Sequence, residues 1–205
     1  ILSALASHRP AGNSPDMRIT GGTARGIPIH TGRAKHVRPA TDQLREAVFS
    51  SLGERVQDAR FLDLFAGAGC YGLEALSRGA ESGLFVEKHP AAVSAIEQNL
   101  QAVARSMGGF RGKPPRIIRR DVLRFATHAR FTLIFMDPPY ELARSHGQIL
   151  LDRARAYLET ESPALLVYEL PADLRLHHPE WECLRRIGKS GTNEPSVHLL
   201  RLADQ

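Results

Sequence analysis

Apolar positions recur with one period near the start of the chain and another beyond residue 59. Across RPATDQLREAVFSSLGERV, Leu44, Val48, Phe49 and Leu52 fall at helical spacing, and Thr41 or Asp42 can cap the first turn. Short apolar runs of strand length follow: ARFLDLF, SGLFVE, PRIIRR, FTLIFMD and PALLVYEL. Helical spacing returns between them, in LEALSRG closed by Gly79, in PAAVSAIEQNLQAVARSM opened by Pro90, and in LARSHGQILLDRARAYL. Alternation of this kind predicts βαβ units, hence a parallel sheet with helices on both faces. Ahead of them, MRITGGTARGIPIHTG has the pattern of a small hairpin turning at Gly21-Gly22. At the other end, WECLRRIGKSG and SVHLLRL predict a closing antiparallel hairpin.

In an open α/β sheet the ligand lies outside the carboxyl ends of the strands. Four of those ends here carry an acid, in LDLFAGAGCYG, VEKHP, RRDV and MDPPY, and the fifth strand adds Glu169. FAGAGCYG fits G-x-G-x-x-G through Gly67, Gly69 and Gly72, and Glu87 follows about twenty residues on, where an acid holds ribose hydroxyls. By itself this motif also suits a dinucleotide oxidoreductase. The absence of Lys-Ser/Thr after the loop excludes a phosphate-cradling P-loop. Asp63 separates the two remaining cofactors. A carboxylate just before the loop would repel a pyrophosphate, whereas it suits S-adenosylmethionine, which carries a sulfonium and an α-ammonium. Asp121 is placed for the adenine amino group, with a helix cap for VLRFATH as its other role. Phe65 and Ala66 beside the loop, Lys88, Val122 and Asp137 complete the expected cofactor-binding set. Cys70 and Tyr71 are expected to be loop filler.

FTLIFMDPPY ends a strand in a carboxylate, two prolines and an aromatic ring. The prolines stop the strand and fix φ. Asp137 and the carbonyl of Pro138 can then accept the two N–H hydrogens of an exocyclic amine, exposing its lone pair to an in-line methyl transfer. Pro139 stiffens the rim, and Tyr140 offers a face on which the base stacks, worth roughly 1–3 kcal/mol. Catalysis would be orientation and electrostatics, with Asp137 also able to take a proton.

FLDLFAGAGCYGLEALSRGA, VEKHP and MDPPY resemble the Rossmann-like amino-methyltransferases. MRITGG, RPATDQLREAVF and the LEALSRGA helix resemble, more narrowly, the bacterial 16S ribosomal RNA guanine-N2 methyltransferases of the RsmD type. The resemblance spans about Met17 to Glu169. It implies a class I methyltransferase fold with a seven-stranded mixed sheet and an N-terminal β-hairpin. It further implies S-adenosylmethionine as donor and one guanine of 16S ribosomal RNA as acceptor, free or within a partly assembled small subunit. The basic hairpin and the segment around Arg38, Thr41 and Arg45 would lie over the site and hold RNA. A DNA adenine-N6 methyltransferase shares the MDPPY chemistry but needs an added target-reading region, for which 205 residues leave little room. Protein glutamine methyltransferases more often carry Asn at the Asp137 position. A non-catalytic RNA-binding protein would have no use for the loop and rim.

Charge sharpens the expectation of a polyanionic partner. Between Arg18 and Arg45 there are six basic residues, Arg18, Arg25, Arg33, Lys35, Arg38 and Arg45, against Asp42 alone. A second cluster, Arg105 to Arg124, has seven against Asp121. The expected division is an extension at 1–16, a basic RNA-facing appendage at 17–56 and a methyltransferase domain at 57–205. Cys70 and Cys183 build no disulfide framework, which fits a reducing cytoplasm. The nine histidines show no ligand spacing, so no metal is expected, and nothing demands more than a monomer.

Overall fold

A computed structural model describes residues 17–31, 42–160, 163–175, 177–188, 191 and 194–203. Helix α1 (Asp42–Leu52) runs into a 3-10 turn at Gly53–Val56. The alternating region follows: β1 (Arg60–Leu64), α2 (Cys70–Ser77), β2 (Ser82–Glu87), α3 (Pro90–Met107), β3 (Arg116–Arg119), β4 (Leu133–Met136), α4 (Tyr140–Tyr157) and β5 (Leu165–Pro171). β6 (Trp181–Gly188) and β7 (Pro195–Leu202) close the chain. The seven strands form one sheet in the order β3-β2-β1-β4-β5-β7-β6, with β7 antiparallel to both neighbours. This order reverses direction between β1 and β4, the crevice where such sheets bind ligands. No helix among the described residues is long and apolar enough to cross a membrane.

Strand residues alternate between two apolar layers. Phe61, Leu133, Phe135, Leu165 and Val167 face α1, α2 and α3, whereas Leu62, Leu64, Ile134, Met136, Leu166 and Tyr168 face α4. Expected and observed boundaries differ at α1, which yields to the 3-10 turn where Gly53 takes a φ of 56°. They differ again at α2, which begins three residues earlier than LEALSRG implied.

The N-terminal hairpin is present but looser than expected. Its two sides meet at one bridge, Arg18 to Pro28, with Ile19 and Met17 exchanging backbone hydrogen bonds with Gly26, Ile27 and Ile29. The turn is wider than Gly21-Gly22 alone: Gly22 (φ 77°) and Gly26 (φ 88°) hold its left-handed corners. Met17, Ile19, Ala24 and Ile29 are buried in the same core as α1 and α2, so the hairpin is packed down rather than free.

The latch is polar and buried. Glu74 of α2, wholly inaccessible, accepts from Thr20 N and Oγ1 and from Gly21 N, each at 2.8 Å. It also pairs with Arg45 Nε at 3.3 Å and Arg78 Nε at 2.7 Å. Ser77 Oγ donates to the Gly21 carbonyl at 2.6 Å and accepts from Ala24 N at 2.9 Å. On α3, Asn99 exchanges two hydrogen bonds with the His30 backbone, both 2.9 Å, and donates to the Ala68 carbonyl at 3.0 Å. One amide thereby joins the hairpin to the glycine loop.

Candidate active site

The glycine loop leaves β1 through Phe65, a non-glycine residue at φ 60°. Such a conformation persists where neighbours over-determine it, and it clusters at functional turns. Here the neighbours are backbone bonds: Ala66 N donates to Val86 O at 3.2 Å, and Gly69 N to Ala66 O at 2.7 Å. Gly69, at φ 84°, begins α2 in the left-handed region. At Gly72 the need is space, since a Cβ there would lie 2.3 Å from the Phe85 ring and 2.7 Å from Phe61. The third glycine of the motif thus lets α2 sit against β1 and β2.

Two expected ligand-binding acids are built into this loop. Asp63 Oδ2 accepts from Gly72 N at 3.0 Å. Glu87 Oε2 accepts from Gly67 N at 2.9 Å, and its Oε1 from Lys88 N and His89 N, both at 2.8 Å. A carboxylate has roughly four acceptor sites, so Glu87 keeps about one for a ligand hydroxyl. Asp121 Oδ1 accepts from Leu123 N at 2.9 Å and caps the 3-10 turn Val122–Arg124, while Oδ2 lies 3.8 Å from Lys88 Nζ. The capping role therefore holds for one oxygen, and the expected helix shrinks to a single turn.

At the end of β4, Asp137 N donates to Leu64 O at 3.5 Å, which seats the rim beside the glycine loop. Pro139 O accepts from Ala143 N at 3.0 Å to start α4, so the acceptor left for an amine is the Pro138 carbonyl. Tyr140 is the first residue of α4 and is half-buried.

The sheet's alternation brings three acids together. Asp63 on β1, Asp137 after β4 and Glu169 on β5 all fall on the α2 face, on three adjacent strands. Asp137 follows Met136, which pairs with Tyr168, so Asp137 and Glu169 occupy neighbouring strand ends. Burial, then Glu169, then Asp63 push Asp137 well above the usual carboxylate range. Burial also raises Asp63 well above that range, opposed by the Gly72 bond and helped by Glu87. Burial lifts Glu169 to about 7 against the lowering effect of Tyr71, whose hydroxyl donates to Glu169 Oε2 at 2.8 Å. Three buried carboxyls that disfavour one another's ionisation form a site in which a bound cation would stabilise the charged forms.

Tyr71 is thus not loop filler. Its ring stacks on Phe135 at 5.3 Å, its hydroxyl fixes Glu169, and burial followed by Glu169 keeps that hydroxyl protonated. Cys70 is held as a thiol, burial pushing it up to about 12, and is no nucleophile at neutral pH.

Glu169 yields a test by pH. Its folded value of about 7 exceeds the ordinary 4.5, so the folded state keeps a proton that the unfolded chain loses between them. Stability from this group is full below pH 4.5 and declines as pH rises through about 7. In paired thermal melts across that window, Glu169→Gln should remove this part of the slope while retaining an acceptor for Tyr71. An unchanged slope would mean that Glu169 ionises normally.

The expected RNA-binding residues scatter. Arg45 must be corrected: its side chain is wholly buried, pairing with Glu74, donating to Asp42 Oδ1 at 2.8 Å and to the Arg18 carbonyl. A guanidinium enclosed by two acids and a carbonyl holds the hairpin and α1 together and cannot meet RNA. Arg18 is exposed, 3.6 Å from Asp42, and Arg25 is exposed. Arg33, Lys35, Arg38 and Thr41 lie outside the described residues, as do residues 1–16. One trio, Asp152, His178 and Glu180, brings three ligand atoms within 4.8 Å of one another. They are engaged in pairs, His178 with Asp152 at 3.1 Å and Glu180 with Arg155 at 2.9 Å.

Comparison with known proteins bears on this geometry. The family model described as conserved hypothetical protein 95 matches residues 17–195. Ribosomal RNA small subunit methyltransferase D of Escherichia coli is 31% identical over 175 residues, covering 80% of this chain and 84% of its own. YlbH of Bacillus subtilis is 32% identical over 166 residues, covering 78% and 85%. Among solved structures, Escherichia coli yhhF superimposes with a TM-score of 0.74 at 26% identity, covering 92% of this chain and 99% of that one. Thermus thermophilus TTHA0928 gives 0.66 at 35% identity, covering 89% and 98%.

Proposed function

The chain belongs to the conserved hypothetical protein 95 family, and on that premise we propose that it methylates the exocyclic N2 amine of a guanine in small-subunit ribosomal RNA, using S-adenosylmethionine. The observation that carries the chemistry is the Asp137-Pro138-Pro139 rim, hydrogen-bonded to the end of β1 beside the glycine loop. The name of the Escherichia coli relative supports the ribosomal RNA substrate.

S-adenosylmethionine supplies a methyl group on a cationic sulfur. Glu87 would hold its ribose, Asp121 and Val122 its adenine, and the backbone of Ala66 and Gly67 its amino-acid end. Burial and mutual repulsion make Asp63, Asp137 and Glu169 reluctant to ionise without a cation, and a ligand carrying two positive centres would favour their ionised, proton-accepting forms. Against the amine, Asp137 and the Pro138 carbonyl each accept one N–H, which turns the nitrogen lone pair towards the methyl. Tyr140 holds the base plane by stacking. Methyl transfer would leave the nitrogen as an ammonium. Its proton passes to Asp137 or to water.

The test is transfer of labelled methyl to ribosomal RNA from cells lacking this protein, followed by nucleoside analysis. We expect label in N2-methylguanine of the small-subunit RNA. Label in N6-methyladenine, or transfer to duplex DNA and not to RNA, would overturn the assignment.

A further inference from the structure

Arg45 is buried and Arg18 lies beside Asp42, so little of the described hairpin and α1 offers free positive charge. The opposite holds at the far side of the sheet. Among the described residues β3 is an edge strand, paired with β2 alone. Arg105, Lys113, Arg116, Arg119, Arg120 and Arg124 are all exposed there. Among the described residues none of the six lies within ion-pair distance of a carboxylate, whereas Arg111 meets Asp58 at 3.3 Å.

We propose that this β3 edge is a seat for the phosphate backbone of the RNA substrate, continuous with the rim of the active site. The inference rests on the RNA reading above and adds where the strand lies. Continuity is set by the chain. The strip starts at the floor of the sheet, where Arg111 faces Asp58 just ahead of β1. It rises along four residues of β3, roughly 13 Å at about 3.3 Å each, with Arg116 and Arg119 on opposite faces of the sheet, so that a strand following the open edge meets one from each side. It ends where Arg120 N donates to the Glu87 carbonyl at 3.0 Å, and where Lys88 stands near Asp121. An RNA strand laid on these cations therefore arrives beside the acids expected to hold the methyl donor. Unpaired cations exposed to water displace the counterions condensed on an RNA strand when they meet its phosphates, whereas cations already paired gain little.

Charged residues on an edge strand also serve simply to block pairing with another sheet. The two roles separate under charge reversal, because glutamates guard an edge as well as arginines do but repel phosphate. We would compare wild type with the triple variant Arg116→Glu, Arg119→Glu, Arg124→Glu, and with the corresponding Gln triple as a folding-neutral control. Measured quantities are the KM for ribosomal RNA, the salt dependence of binding to a single-stranded RNA oligonucleotide, and donor affinity. We expect the Glu triple to raise KM at least about tenfold near 0.1 M salt and to flatten the log–log salt slope by about two to three. The Gln triple should flatten it similarly, with donor affinity unchanged in both. Wild-type KM and slope in the Glu triple would overturn the proposal and leave edge protection as the role. Should wild type transfer no methyl to ribosomal RNA, the substrate assignment fails separately, and the oligonucleotide slopes still decide the surface.

Discussion

Replacing Asp137 with alanine is expected to lower the rate of methyl transfer about a thousandfold and to leave donor affinity within a few-fold of wild type. The asymmetry follows from where the residue sits. Its backbone is fixed by Leu64, and its carboxyl shares a face with Asp63 and Glu169. Three acids pull on a cationic donor, so deleting one removes a fraction of that attraction and also relieves repulsion among the rest. The amine has no such redundancy: besides the Pro138 carbonyl, Asp137 is the acceptor the rim provides. Losing it leaves the nitrogen lone pair delocalised into the ring. Asp137→Asn keeps an acceptor oxygen without the charge and should fall between. Single-turnover rates with saturating donor, beside calorimetric donor binding, measure the two quantities separately. Because burial and like charges already disfavour the ionised carboxyl, neither substitution should lower the donor-free melting temperature. Equal collapse of rate and donor affinity would make Asp137 a cofactor ligand and return the amine to another group.

How far the chain discloses this site depends on which interactions are local. The strands and the rim are legible because each is written in consecutive residues: LIFM alternates between two apolar layers, and Asp-Pro-Pro ends it wherever it occurs. The same holds for the glycine loop, down to Gly72, whose lack of a side chain is required by the Phe85 ring beside it. What escaped are contacts across long separations. Tyr71 and Glu169 stand 98 positions apart, and their hydrogen bond depends on β4 and β5 being neighbours in the sheet. Composition marks Arg45 as one more basic residue in a basic segment. Only the docking of α1 on α2 encloses it, 29 positions from Glu74. A signal did exist: Glu74 interrupts an apolar run, Leu73, Ala75 and Leu76, in a helix buried on every side, and a buried acid requires a partner. Asn99, on the buried face of α3 with Ala95, Ile96 and Val103, carries the same kind of hint.

Arg45→Met should accordingly destabilise the protein by about 3 kcal/mol, at the lower end of what breaking a buried ion pair costs. The lower end is expected because Glu74 is not left alone: Arg78 and the Thr20 and Gly21 donors remain on it. For a chain of this size that corresponds to a fall in Tm of roughly 10 °C. Arg45→Met combined with Glu74→Leu should recover part of the loss, since an apolar pair removes both desolvated charges, and the coupling between the two sites reads out their interaction. The same variant discriminates the two roles considered for Arg45. A residue touching phosphate would, when removed, reduce the salt slope of RNA binding by about one and leave stability alone. A residue locking the hairpin lowers stability and weakens RNA binding without changing the slope, because the lost free energy is that of re-docking residues 17–31 and not of releasing counterions. An unchanged Tm with a shallower salt slope would put Arg45 back on the RNA. That outcome would require a guanidinium hydrogen-bonded to Asp42, Glu74 and the Arg18 carbonyl to leave all three, which is the step the packing of α1 against α2 opposes.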